Sequence, residues 1–211
     1  MTNLSGTVKL QPTHRLFESM RKLCVVVDAL GIAVSFIRLN RVEAKMGNYV
    51  ACLSLQFPME VRLASIAPVT SIAWDRPVSG VEIGFFDATK GPNYQNEITG
   101  TKNVLMGLIT PIYVDFYEKH RPWIGKTLGA LDKWPELFRF AWAVRNAISH
   151  HGGKINITDP KLRPVVWHKL SYDYHHAGTE IIGPVLALAD MIILMFEISD
   201  ELDRLKCPIN L

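Results

Sequence analysis

The densest grouping of residues able to do chemistry lies at 145–153, where the chain reads Arg-Asn-Ala-Ile-Ser-His-His-Gly-Gly. An arginine stays charged in water and can hold two phosphate oxygens at once. A histidine, with a reference pKa of about 6.5, can take or give a proton near neutral pH. Together they suit phosphodiester cleavage without a metal: histidine moves protons while arginine stabilises the developing charge. His150 follows Arg145 by five residues, about 140° around an ideal helix. Only the long arginine, or a loosened last turn, lets both reach one phosphate.

Two other groupings invite chemistry and lack the residues for it. Gly125-Lys126-Thr127 resembles the end of a phosphate-binding loop, but His120 stands where the loop's first glycine belongs. Arg121-Pro122-Trp123 follows, too bulky and stiff to wrap backbone amides around a triphosphate. His150, His151, His175 and His176 form two adjacent pairs. Neighbouring side chains on a helix diverge by about 100°, and no paired carboxylate sits at ligand spacing beside them. No metal and no cofactor is expected.

Charge points to the same region. Between Arg139 and Lys169 lie six basic residues (Arg139, Arg145, Lys154, Lys161, Arg163, Lys169) and one acid, Asp159. That local excess exceeds the chain's net charge of +3. A basic patch around a histidine is what an RNA backbone requires, and Lys154, Lys161 and Arg163 are the expected RNA-binding residues.

The elements that position these residues read as mostly helical. From Thr13, apolar residues Leu16, Met20, Leu23, Val27, Leu30, Val34 and Ile37 recur at helical spacing. A second helical segment is expected over Tyr49 to Ala67, interrupted near Pro58 and closed by Pro68. Asp75 to Gly100 is rich in glycine and proline and reads as a loop or insertion, with Val81 to Phe86 its one strand-like stretch. Helices return at Thr101 to His120 and at Trp134 to His151. The latter has Pro135 in its first turn and Gly152-Gly153 as its stop. It should bury Leu137, Phe140, Ala141, Val144 and Ile148 and leave Arg145, Ser149 and His150 off that stripe. Alternation at Ile155, Ile157 and Val165 to Tyr172 predicts a small hairpin, and a last helix covers Pro184 to Lys206.

At 211 residues, 48% hydrophobic and 20% charged, the chain can build one core and is not disordered. Cys24, Cys52 and Cys207 form no Cys-x-x-Cys pair, and Met1 to His14 lacks the apolar stretch of a signal peptide. A cytoplasmic protein is expected. Cys24 to Ile37 is too short to span a bilayer and holds Asp28. Ile181 to Ile198 carries Pro184, Asp190 and Glu197, so both read as core helices and no membrane partner is expected. Such apolar helices need more cover than one small domain supplies, which predicts a homodimer.

Arg145 to His150, followed by His151-Gly152-Gly153, resembles the Arg-x4-6-His motif of HEPN-superfamily domains. The resemblance implies an all-α helical bundle of HEPN type, with a small β-hairpin before the last helix, as a single domain over 1–211. It further implies a dimeric, metal-independent endoribonuclease in a toxin–antitoxin or phage-defence setting, with a protein antitoxin as a further partner. On that resemblance Arg145 and His150 are catalytic, Asn146 is a polar supporter, and His151 and Ser149 are supporting candidates. The doubled histidine leaves open which of His150 and His151 does the chemistry. The alternative it implies is an inactive HEPN dimer that binds RNA, a nucleotide or a protein.

Overall fold

The computed structural model describes residues 6–39, 49–64, 80–90 and 99–209. Its contacts divide the chain into two compact units. One is built mainly from 3–54 and 58–96, the other from 55–57 and 97–211.

The first unit corrects the all-α expectation. Strands β1 (Gly6–Leu10), β2 (Tyr49–Leu53), β3 (Met59–Ala64) and β4 (Val81–Asp87) form an antiparallel sheet in the order β1-β4-β3-β2, accompanied by helix α1 (Phe17–Leu39). The fold is therefore mixed α/β. From Tyr49 to Ala64 the stretch expected to be helical is instead a pair of strands, in register Cys52↔Val61 and Leu53↔Glu60, while 65–68 lie outside the described residues. Its β-branched and aromatic residues suit a pleated surface, and Pro58 lies in the connection between strands rather than inside a helix.

Period two is plain in β4, where Val81, Ile83 and Phe85 are buried at alternate positions. They stand opposite Leu10, Leu63 and Val61 of the neighbouring strands. Leu16, Phe17, Met20, Leu23, Cys24 and Val27 of α1 and the turn before it are buried in the same unit. The strand-like Val81 to Phe86 inside the expected insertion is thus a central strand. Residues 75–79 and 91–98 of that insertion lie outside the described residues.

The second unit carries the motif. It holds α2 (Thr99–Leu128), α3 (Glu136–His150), the hairpin β5 (Val165–Trp167) and β6 (Leu170–Tyr172), and α4 (Leu188–Arg204). The hairpin and the last two helices stand where the sequence places them. α3 buries more than the expected stripe: Phe138, Phe140, Ala141, Ala143, Val144 and Ala147 are buried, while Leu137 and Ile148 are half-buried. It has neighbours on several sides, touching α2, α4 and β5, so a single narrow apolar face does not suffice. Phe140 stacks on Trp167 at 5.4 Å and on Tyr172 at 6.4 Å, which fixes the hairpin against α3. Glu197 of α4 also holds the hairpin. It accepts from Trp167 Nε1 at 2.6 Å and lies 2.9 Å from His168 Nε2. No helix among the described residues is long and apolar enough to cross a membrane. Cys24, Cys52 and Cys207 are buried.

Two buried tyrosines of α2 make the fold sensitive to alkali. Burial, and then the neighbouring Tyr117, push the Tyr113 hydroxyl well above its ordinary pKa, and it donates to Ala141 O at 2.9 Å. Burial likewise raises Tyr117, with Arg121 the first charge to offset it. Both must stay protonated in the fold. Their contribution is complete below the unfolded pKa of about 10 and is lost as pH rises through the higher folded values. Between the unfolded and folded values stability should fall by roughly 1.4 kcal/mol per pH unit for each tyrosine. Urea titrations from pH 9 to 11 on the wild type and Tyr117→Phe should show the variant's slope reduced by about a third to a half, since burial also raises Tyr172. Equal slopes would mean that Tyr117 ionises freely in the fold.

Candidate functional site

The last turn of α3 assembles the site. Arg145 Nη1 donates to Asn146 Oδ1 at 3.0 Å and lies 2.8 Å from His150 Nε2. A guanidinium has no acceptor, so Nε2 accepts and the ring's hydrogen is placed on Nδ1. The five-residue separation is closed by the reach of the arginine, since α3 remains helical through His150. His150 is exposed and Arg145 half-buried.

The doubled histidine resolves spatially. His151 is turned away, its Nε2 2.9 Å from Asn156 Nδ2, with the two imidazole rings 6.1 Å apart. His150 is therefore the one that meets Arg145. Ser149 is exposed. The chain leaves the helix sharply: Gly152 and Gly153 both have positive φ, and Gly153 N donates to Ala147 O at 2.8 Å. At Gly153 a β-carbon would also stand 3.2 Å from Ile182 Cβ, so glycine serves both conformation and packing there. The following residues pair with 178–182 through Lys154↔Glu180 and Ile155 N to Thr179 O at 2.9 Å. Beside this exit lies an open cleft lined by Met106, Thr110, Ile148, Gly153 and Ile182, among others.

The structure adds residues that no local spacing reveals. Glu118 of α2 faces Arg145, its Oε1 against the arginine's Nε as an ion pair rather than an aligned hydrogen bond. Its other oxygen is 3.5 Å from Arg121 Nη1. The Tyr117 hydroxyl is buried without a hydrogen-bond partner among the described residues and feels the charges of Arg121, Glu118 and Arg145.

The basic residues are not all exposed to solvent. Lys154 and Lys161 are exposed, and the backbone N–H of Lys161 donates to Asp159 Oδ1 at 2.8 Å. Arg139 is buried, with Nη1 3.3 Å from Arg163 O; burial, and then Arg163, pull its pKa down. The Arg163 guanidinium donates to Asp132 O. Asp132 and Arg139 belong to the start of α3 and the turn before it. At 1.5 Å per residue, Arg139 and His150 are separated by about 16 Å along the axis. Arg163 is thus placed at the far end of the motif helix. Among the described residues no three His, Cys, Asp or Glu side chains are grouped to hold a metal ion.

No family model, no curated protein and no solved structure matches the chain.

Proposed function

We propose that the chain is a metal-independent endoribonuclease of HEPN type acting on single-stranded RNA. The observation that carries this reading is the 2.8 Å contact between Arg145 Nη1 and His150 Nε2 at the exposed end of α3. In the reaction, Nη1 leaves His150 for a non-bridging phosphate oxygen. Nε2, thereby freed, takes the proton of the ribose 2′-hydroxyl. The 2′-oxygen attacks its own phosphorus, the bond from phosphorus to the 5′-oxygen breaks, that oxygen takes a proton from water, and His150 returns its acquired proton to the solvent hydroxide so formed. Arg145 stabilises the negative charge that grows on the phosphate oxygens. A 2′,3′-cyclic phosphate and a 5′-hydroxyl are the products. Asn146 keeps Nη1 in place. A homodimer that pairs two such motifs, and a protein antitoxin that covers them, belong to the same proposal.

The test is cleavage of a labelled single-stranded RNA by purified protein in EDTA, with the product ends identified by mass spectrometry. Cyclic-phosphate ends and an intact DNA control support the reading. Cleavage that requires magnesium, or that proceeds equally on DNA, overturns it.

A second reading, an inactive HEPN-type module that binds RNA, a nucleotide or a protein, is favoured by one feature. Glu118 already neutralises the arginine. Under either reading with RNA as ligand, binding should weaken with salt through the exposed lysines. Replacing Lys154 and Lys161 by glutamine should flatten the slope of log affinity against log salt by roughly 1.4, at about 0.7 for each single-strand phosphate contact. Adding Arg163→Gln should change it little, because that guanidinium is turned to Asp132 O. An unchanged slope in the double variant would assign both lysines to solvent.

A further inference from the structure

Arg145 is engaged at two of its three nitrogens. Nε faces Glu118 Oε1, and Nη1 is directed at Asn146 Oδ1 and His150 Nε2 at 3.0 and 2.8 Å. A planar guanidinium can grip a phosphate in two ways: along its side, through Nε and one Nη, or across its end, through both Nη atoms. The Glu118 carboxylate is packed against Nε as an ion pair, and its charge and bulk crowd a phosphate approaching along that side. The end is less hindered, and it includes Nη1, the nitrogen in contact with His150.

Glu118 is itself held. Its second oxygen is 3.5 Å from Arg121 Nη1, one helical turn along α2. The carboxylate thus bridges two arginines from two helices. Its side chain is 36% exposed, against 15% for Arg145, so it is a rim group over a more buried partner. We infer that Glu118 is a positioning residue that fixes Arg145 so that a substrate phosphate meets the guanidinium end-on, beside His150 Nε2. This rests on the ribonuclease reading of the motif. Glu118 also sets a negative charge near the phosphate, so it trades affinity for orientation. That trade separates positioning from mere structural support, because loss of support would weaken binding and turnover together.

The experiment has one arm that needs no RNA. In nitrogen-15 spectra of the guanidinium groups, rotation of Arg145 about its Nε–Cζ bond should be slow in the wild type and fast in Glu118→Ala. Glu118→Gln, which keeps an oxygen in place, should fall between. The kinetic arm compares kcat and KM on single-stranded RNA. Glu118→Ala should lose about 10- to 100-fold in kcat, the scale of a misplaced reacting group, while KM falls. Glu118→Gln should recover most of the loss. Unchanged Arg145 rotation in Glu118→Ala overturns the inference, and so does full kcat in that variant. A wild type with slow rotation that cleaves no RNA would overturn the ribonuclease reading and leave the placement of Arg145 by Glu118 standing.

Discussion

Replacing His150 by alanine should lower cleavage of single-stranded RNA in EDTA by about 10²–10⁴-fold, the usual worth of a positioned acid–base group. Arg145→Ala should cost at least about 10²-fold, since removing one donor to a developing negative charge already has that effect. The two losses should not add. Arg145 must release His150 before either acts, so the double variant should be little worse than the poorer single one. His151→Ala is the internal control. Its ring is engaged with Asn156 and sits 6.1 Å from that of His150, so turnover should change by a few-fold at most. None of these three side chains is in the core, and urea midpoints should stay close to wild type. If the double variant cleaves as well as the wild type, the chemistry does not lie at the end of α3. If His151→Ala is the inactive variant, the assignment between the two histidines is reversed.

What could be read from the chain depended on how local the signal was. Arg145 and His150 share one helix end, and a long arginine closes a gap that the helical angle leaves open. Spacing was therefore enough to find the pair. It could not choose between His150 and His151, because the choice is made by Asn156 across the Gly152-Gly153 turn. Glu118 was out of reach altogether. It belongs to another helix, and nothing in its neighbourhood marks it as a partner of Arg145.

The same divide runs through the fold. The hairpin at Val165 to Tyr172 follows from β-branching and alternation within a few residues. The segment from Tyr49 to Ala64 mixes strand formers with Leu, Met, Glu and Ala, which also suit helices. Its strands are specified by pairing, with Leu63 opposite Ile83 and Val61 opposite Phe85. Tertiary partners decide there what local propensity leaves balanced. The basic run behaves likewise: six charges lie close in sequence, yet Arg139 is buried and Arg163 is turned to the opposite end of α3.

Asp190→Ala should destabilise the second unit by about 2–4 kcal/mol, as three backbone donors, two of them on the buried Ala187 and half-buried Gln56, lose a charged acceptor together. Asp190 is 0% exposed, in the first turn of α4. Its carboxylate accepts from Ala187 N at 2.8 Å, Leu55 N at 3.0 Å and Gln56 N at 3.2 Å. The first of these satisfies a helix-end N–H, and the negative charge is favourable at the helix's positive end. The other two fix the 55–57 segment, where Gln56 Nε2 also donates to Val185 O at 2.8 Å and Phe57 lies edge-on to Trp167 at 5.6 Å. Asp190→Asn should not rescue the loss, because its amide nitrogen would set a donor against donors. Glu201→Ala on the same helix is the contrast. Its partner Arg204 is 65% exposed, so the change should cost no more than about 1 kcal/mol. Urea unfolding of the three variants, with hydrogen exchange at Leu55 and Gln56, measures both parts. A loss below about 1 kcal/mol in Asp190→Ala, or unchanged protection at those two amides, would mean that water replaces the carboxylate without penalty. The burial of Asp190 and its three short contacts argue for the larger value.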